Sequence, residues 1–475
     1  MFLLRVGEII VAFANFRGVY IKGCKDALKN AEIVELKNST NFCVPLKLGA
    51  GEESKLLVEV GSSVKAGSVL ASPSDNTSGF IYSPVSGSVV SIKEGLNALG
   101  FSCKIVEIEP SVKDIQLFFK PIAEHSNSNL FGRLIESGSF DNWGQRLPSY
   151  CKYINKNIKD VKTLIVKLYD SDGFIYSNTT IAKKYYKEVA LGASLFYKIS
   201  GALEIIFTGV DEFDNISAKI KEQMNASGIA LGNIKFIKSH RNYPSDYDNL
   251  LVKILTDKTI KIGNPVCENG VVIENAQTCL NFYNAVYENK PTTSVLYTIS
   301  GTNFKKPVLA FIKNGTTAKE LFLGFSDKKL EEIKTFALGS VMCGVSQCDF
   351  NVGLPVSLSS LNSFVENNDR QFEIDCINCG KCNKVCPTRL APVLLDNFAL
   401  EKDFGRADRY GVHACIGCGA CSFVCPAKRF LSQRINDMKT AISEGRTMWW
   451  KNLLFDLLRL LKAKIVLQGL WSIKF

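Results

Sequence analysis

Two runs near the C-terminus share the pattern C-x-x-C-x-x-C-x-x-x-C-P: CINCGKCNKVCP from Cys376 to Pro387, and CIGCGACSFVCP from Cys415 to Pro426. Three thiolates in one short loop grip one face of an iron–sulfur cubane, and the fourth ligand must arrive from elsewhere. This spacing is the ligand pattern of two [4Fe–4S] clusters. In two-cluster ferredoxin-like folds the last cysteine of each run serves the other cluster. That rule groups Cys376, Cys379, Cys382 and Cys425 around one centre, and Cys415, Cys418, Cys421 and Cys386 around the other. Gly380 and Gly419 follow the second cysteine of each run, where the backbone must turn tightly and a Cβ would crowd the cluster. Zinc is the bland alternative, but it asks for two C-x-x-C pairs, and the third cysteine and the Cys-Pro ending are surplus to it. Disulfides weigh less still, because the chain shows no secretory leader and clustered thiols imply a reducing compartment. Two adjacent clusters conduct electrons, so an electron carrier or a component of an oxidoreductase is expected.

The remaining cysteines of the 16 are scattered singly among apolar neighbours, apart from the close pair Cys343 and Cys348, and buried structural roles are their default. The formal charge of +11 allows a nucleic acid, an anionic membrane surface or an acidic partner. No long basic run interleaved with aromatics occurs, which makes nucleic acid the weakest of the three. The apolar N-terminus is interrupted by Arg5 and Glu8, and no window is long and apolar enough to predict a transmembrane helix. The three histidines are far apart and lie in no metal or nucleophile motif; His413, two residues before Cys415, could tune a cluster by hydrogen bonding.

A chain of 475 residues divides into several domains. The expected fold class is multidomain α/β and α+β. Within residues 1–115, short β-branched runs broken by Gly61, Gly67, Gly79 and Gly87 predict tight hairpins in a small N-terminal β domain, whose two arms resemble the halves of a biotinyl/lipoyl-type barrel-sandwich. The turn Ser72–Ser78 between its arms carries no lysine, so a structural or docking role is expected rather than a swinging arm. Residues 120–265 alternate strand and helix patterns, with strands at Val161–Asp170, Ala202–Val210 and GNIKFIK, which means a parallel, Rossmann-like α/β domain. Ligands of such sheets lie at the C-terminal strand ends, here the loop after Asp170 with Ser171, Asp172 and Gly173. Residues 266–325 suggest a small α+β domain of ubiquitin-like size, 326–365 a helical linker, and 366–440 the helical two-cluster domain. From Met448 the tail places Leu453, Leu457, Leu460, Leu461 and Ile465 opposite Asn452, Asp456 and Arg459, with Trp449, Trp450 and Trp471 near the ends. Residues 441–475 therefore read as an amphipathic helix suited to a membrane surface or a membrane-embedded partner.

The stretch Cys376–Lys439 resembles the cluster domain of the RnfC family, the C subunit of the Rnf ion-translocating electron-transport complex. The resemblance continues upstream: GVVIENAQTCLNFYNAVYENKP is similar to that family's soluble-ligand-binding β-grasp segment, LGSVMCG to its G-G-P-M-M-G turn, and VEVGSSVKAGSVLA to its barrel-sandwich arm. The family implies a cytoplasmic protein, peripheral on the inner face of the cell membrane. Its members pass electrons between NAD(H), a bound flavin mononucleotide (FMN) and two [4Fe–4S] clusters, with ferredoxin or NADH as redox partner and the membrane subunits of an Rnf-type complex beside them. Carried onto this chain, the flavin and nicotinamide region falls on Gly138, Gly144, Asp170 and Asp172. The family's glycine loop G-x-G-G-x-G-F-P-T reads here as ESGSFDNWGQRLPSY, and its E-C-E-P-Y as YDSDGF. Around LIESG and LYDSDGF the chain is closer to the A subunit of the Na⁺-translocating NADH:quinone reductase. The expected function is iron–sulfur electron transfer within a membrane-associated, ion-translocating NADH or ferredoxin oxidoreductase. A soluble flavin-dependent reductase of cobalamin-reductase type and a non-catalytic electron relay are the alternatives.

Overall fold

The computed structural model describes residues 2–6, 9–13, 16–36, 39–142, 144–154, 161–226, 234–262, 264–365 and 373–445. The amphipathic helix expected over 441–475 lies almost wholly outside them. The chain divides into two compact units, Met1–Arg370 and Gln371–Phe475.

At the centre of the first unit the runs TLIVK and EIIFTG make neighbouring parallel strands, Thr163–Lys167 and Glu204–Gly209. Continuous β-branched and apolar residues suit strands covered on both faces. Leu164, Val166, Ile205 and Phe207 enter one core with the helices Tyr186–Ser200 and Ala276–Tyr287, while Ile165 and Ile206 enter another with Leu251, Val252 and Leu255 of the helix Asp248–Thr256. The sheet has six strands in the order Phe2–Val6, Ile9–Phe13, Ile234–Lys238, Glu204–Gly209, Thr163–Lys167, Val271–Asn275, and only the first is antiparallel to its neighbour. Two boundaries differ from expectation. The N-terminal hairpin extends this sheet rather than the barrel, and Val271–Asn275 is its edge strand rather than part of the following domain. The helical stretch after Ser177 is divided at Tyr185, whose ring meets Phe311 edge-on.

The barrel-sandwich is a four-stranded sheet, Phe42–Pro45, Ser102–Pro110, Gly87–Leu96 and Ser63–Val64, together with a three-stranded sheet, Lys55–Leu56, Val69–Ser72 and Ile81–Tyr82. Gly61 and Gly67 turn the chain at φ +88° and +87°. The lysine-free tip is fastened inside the unit: the Tyr150 hydroxyl donates to the Ser78 carbonyl, and the Cys151 thiol donates to Asn76 O at 2.9 Å.

A second six-stranded sheet runs Val345–Gln347, Phe336–Leu338, Ser360–Asn362, Ser294–Ser300, Val308–Lys313, Ile33–Glu35, and packs against the helix Ala318–Phe325. The helical linker expected over 326–365 is therefore corrected. Apart from one helical turn, Leu330–Glu332, it contributes three strands, because Phe336, Leu338 and Leu361 are drawn into the core beside Phe322.

In the second unit, short helices Lys381–Val385 and Ala420–Phe423 follow the two cysteine loops. Pro392–Leu400 and Phe404–Arg409 connect the loops, and a helix over 431–445 closes the core of Leu395, Phe398, Val412, Ile435 and Met438. Asp396, 1 % exposed, accepts from both Arg429 and Arg434, and Arg434 donates to Glu373 at 2.9 and 2.6 Å. A buried carboxylate is tolerable only when so paired.

A tight helix contact in the first unit is at Gly192, where an added Cβ would stand 2.0 Å from the Cys279 carbonyl oxygen. Gly192→Ala is expected to lower stability by about 1–3 kcal/mol through overpacking, despite the better helix propensity of alanine. Chemical denaturation checks this; an unchanged or raised midpoint would contradict the packing.

Candidate functional site

The two cysteine runs repeat in backbone as well as in sequence. Left-handed φ occurs at matching offsets: Asn378 (55°) and Gly417 (66°), Gly380 (69°) and Gly419 (78°), Arg389 (60°) and Lys428 (54°). These turns wrap each loop around a hollow and then redirect the chain after its Cys-Pro. Cys376, Cys379, Cys382 and Cys425 line one cavity of about 110 Å³. Cys386, Cys415, Cys418 and Cys421 line a second of about 20 Å³, over which Leu390, Leu395 and Ile435 close. Each cavity thus takes three cysteines from one run and the last cysteine of the other. Among the described residues no group of three or more His, Cys, Asp or Glu is set closely enough to hold a single metal ion. The donor set around each hollow is four sulfurs, which fits a [4Fe–4S] cluster.

Burial raises the thiol pKa of Cys382, Cys415 and Cys421, and backbone N–H groups of Asn383, Gly417 and Ser422 pull the other way. Such N–H donors favour a ligating thiolate and tune cluster potential. Cys379 is exposed, whereas every cysteine around the second cavity is buried or partly buried. His413 stands with Nε2 3.2 Å from an Asp408 carboxylate oxygen.

At the C-terminal strand ends of the α/β domain, the residues singled out in sequence are committed to internal contacts. Asp170 accepts from Asn178 N at 2.9 Å and Asn178 Nδ2 at 2.7 Å. Asp172 accepts from Phe174 N, Val341 N and the Ser340 hydroxyl, and Asp246 accepts from the Ser171 N–H and hydroxyl. Gly138 (φ +64°) packs on Tyr82, 2.9 Å from a would-be Cβ, whereas Gly144 (φ +61°) faces open space. The loop between them folds on itself, with Asp141 N donating to Leu147 O and Ser149 N to Ser139 O, both at 2.9 Å. Two cavities lie at the strand ends: one of about 60 Å³ lined by Lys25, Tyr169, Asp170, Ser171, Gly173 and Asp211, and one of about 10 Å³ lined by Asn142, Lys167, Asp170, Asp172 and Asp246. Neither reaches the several hundred Å³ of a cofactor pocket. As packed, Asp170 and Asp172 line no cavity of flavin size. A larger cavity of about 370 Å³ lies against the edge strand Val271–Ile273, lined by Gly144, Arg146 and Lys152, and the Arg146 Nε is buried without a hydrogen-bond partner among the described residues.

Sequence reasoning missed a partly buried charge cluster here, centred on the buried Glu274. Lys152 Nζ lies 2.7 Å from Asp141 and 3.3 Å from Glu274, and the Tyr153 hydroxyl donates to Glu274 at 3.0 Å. Its signal in the sequence is a single acid in the otherwise apolar strand VVIEN. Burial pushes the Glu274 carboxyl from 4.5 up to about 7, against the lowering by Lys152. A folded pKa above the unfolded one contributes stability that is complete below the unfolded value and is lost as pH rises through about 7. Glu274→Gln should therefore flatten the fall in unfolding midpoint across that window. An equally steep fall in wild type and variant would contradict the assignment.

With this geometry in place, comparison with known proteins gives three matched regions. Residues 14–113 match the RnfC barrel sandwich hybrid domain, 136–284 the Nuo51 FMN-binding domain, and 369–437 the 4Fe-4S dicluster domain. The chain is 26 % identical over 388 residues to the C subunit of the proton-translocating ferredoxin:NAD(+) oxidoreductase complex of Clostridium ljungdahlii, covering 80 % of this chain and 83 % of that protein. It is 25 % identical to the C subunit of the ion-translocating oxidoreductase complex of Pseudomonas aeruginosa, covering 81 % of this chain but half of that protein. The corresponding C subunit of Buchnera aphidicola is 27 % identical over 71 % of each chain. Among solved structures, an NAD+-reducing [NiFe]-hydrogenase in the H2-reduced state aligns at TM-score 0.45 and 13 % identity, over 67 % of this chain and 58 % of that one. These three relatives are all C subunits and lend no support to the likeness with the A subunit of the Na⁺-translocating NADH:quinone reductase. Over about four fifths of its length this chain is similar to the C subunits of ion-translocating oxidoreductase complexes, with barrel sandwich, flavin-type α/β domain and dicluster domain in that order.

Proposed function

We propose that this chain is the iron–sulfur electron-transfer component of a membrane-associated, ion-translocating NADH or ferredoxin oxidoreductase of Rnf type. The observation that carries this reading is the pair of four-cysteine cavities, each completed by the other run. Cys376, Cys379, Cys382 and Cys425 hold one [4Fe–4S] cluster, and Cys415, Cys418, Cys421 and Cys386 hold the other. When bound, the clusters would supply one-electron transfer; the chain's own residues fix the ligands, with Cys379 of the first set exposed and every cysteine of the second buried or partly buried. The protein sits at the cytoplasmic face of the membrane, beside the membrane subunits of the complex, with the tail over 441–475 as its contact. Among the described residues no helix is long and apolar enough to cross a bilayer, which suits a peripheral place.

FMN and NAD(H) are reaction partners of the complex in this reading, while the α/β domain of this chain serves as scaffold. The small size of the strand-end cavities supports that division over a soluble flavin reductase. A flavin-containing version draws on the cavity beside Arg146, and flavin release from the purified chain decides between them. We expect well under one flavin per chain; a stoichiometric flavin that falls on Arg146→Ala would favour the second version.

The crossed ligation has its own signature. Cys425→Ser, though in the second run, should remove or convert the cluster of the first, and Cys386→Ser the reverse, so the electron paramagnetic resonance (EPR) spectra of the two reduced variants should be complementary. Each serine variant damaging the cluster of its own run would overturn the assignment.

A further inference from the structure

We infer that the two clusters are held at different potentials, and that a few side chains at matching offsets of the repeated runs make the first centre, on Cys376, Cys379, Cys382 and Cys425, the more readily reduced. The inference rests on the two-cluster reading just proposed and names the residues that set where an electron shared between the centres comes to rest.

The two ligand loops are nearly one sequence. CINCGKC and CIGCGAC differ only in Asn378 against Gly417 and in Lys381 against Ala420. Their backbones agree as well: the Asn378 N–H donates to Cys376 Sγ at 3.4 Å, and the Gly417 N–H serves Cys415 in the same way. After each Cys-Pro the runs diverge again, with Leu390 in the first standing at the offset of Arg429 in the second. Because the last cysteine of each run reaches the other hollow, Leu390 lines the second cavity and Arg429 the first. Asn378, Lys381 and Arg429 thus line the first cavity, whereas the second has no charged residue in its lining among the described residues.

Reduction adds negative charge to a cluster already made anionic by its thiolates, so cations and polar groups at the lining favour the reduced form and raise its potential. Arg429 is 7 % exposed and pairs with Asp396 at 2.6 Å, while Asp396 and Glu373 also hold Arg434. Two cations and two acids balance in that group, but Arg429 is the member that lines the cavity, so its positive charge is the nearer to the cluster. The remaining charges are easily placed. Arg389 and Lys428 hold matching offsets and cancel in the comparison, and Lys384, against Phe423 in the second run, adds to the difference. The exposed Asp375 beside Cys376 works against it, as does Lys439, whose Nζ donates to the Cys415 carbonyl at 2.9 Å; neither lines a cavity. His413 near the second centre is matched by Asp408.

The test is an anaerobic redox titration of the full, cluster-loaded chain followed by EPR. Two one-electron steps are expected, separated by about 59 mV or more, which is a tenfold difference in reduced-to-oxidised ratio. Cys379→Ser and Cys418→Ser change the second cysteine of each run and assign the steps whichever way the last cysteines cross: the higher step should be lost or displaced in Cys379→Ser, and the lower in Cys418→Ser. Asn378→Gly combined with Lys381→Ala then makes the two loops identical, at exposed positions and with glycine at a left-handed φ. It should lower the reduced-to-oxidised ratio of the first centre by about threefold at fixed potential, the effect of one solvent-screened charge, and leave the second centre unmoved. Arg429→Leu should lower the first centre further and Arg429→Lys restore it; if Arg429→Leu fails to retain iron, the loop exchange decides alone. Coincident steps, a higher step that belongs to the second centre, or a first centre unmoved by the loop exchange overturns the inference while both clusters stand. Absence of two reducible clusters overturns the electron-transfer reading itself.

Discussion

A cubane gripped by three thiolates of one loop is incomplete, and the fold of the second unit follows from where the fourth comes. Because Cys425 must reach the first loop and Cys386 the second, the two runs have to lie side by side, each ending beside the other's hollow. That demand explains the matched left-handed residues at three offsets in each run and the two helices that return the chain between them. It also explains how so small a unit holds together. Its apolar core is a few residues around Leu395, Phe398 and Ile435, and units of this size ordinarily need staples. In the proposed crossed ligation metal–thiolate bonds would cross-brace the two halves, and the buried Asp396 clamp of Arg429 and Arg434 ties the connecting helix to the segment after the second run.

The first unit shows the opposite relation between architecture and chemistry. A parallel sheet creates a crevice at its strand ends whatever its sequence, and here the chain itself narrows it to cavities of about 60 and 10 Å³. Asp170, Asp172 and Asp246 spend their hydrogen-bonding capacity on neighbouring backbone and side chains, and the loop before Pro148 pairs with itself instead of presenting N–H groups outward. Beside it the partly buried Lys152 pairs with the partly buried Asp141 and the buried Glu274. In the proposed reading, a fold that matches a flavin-binding domain serves here as a scaffold. The likeness lies in the backbone; the departure lies in which side chains occupy the crevice.

Much of this is legible in the residues alone. Ligand spacing is local, so the three cysteines of each loop follow from chemistry within a dozen residues while the fourth rests on the two-cluster rule, and buried parallel strands declare themselves as unbroken runs such as TLIVK. The illegible part depends on partners distant in sequence. Phe336–Leu338 has strand character only because Ser360–Asn362 lies beside it, and its Lys- and Glu-rich approach suggests a helix. Val271–Asn275 carries no mark saying that its neighbour is Thr163–Lys167, so local pattern joins it to the wrong sheet. The N-terminal hairpin misleads for the same reason. Asp170 and Asp172 are at the strand ends as expected, but whether an acid faces a ligand or caps its own loop depends on where Asn178 and Ser340 arrive.

That two [4Fe–4S] clusters are shared crosswise between the runs requires first that both exist, and the metal content of the anaerobically purified chain decides this, with reduced-state EPR quantified by spin. About eight irons and as many acid-labile sulfides per chain are expected, with interacting signals from two centres. Four or fewer irons after repeated reconstitution, or zinc in their place, would contradict the crossed pair.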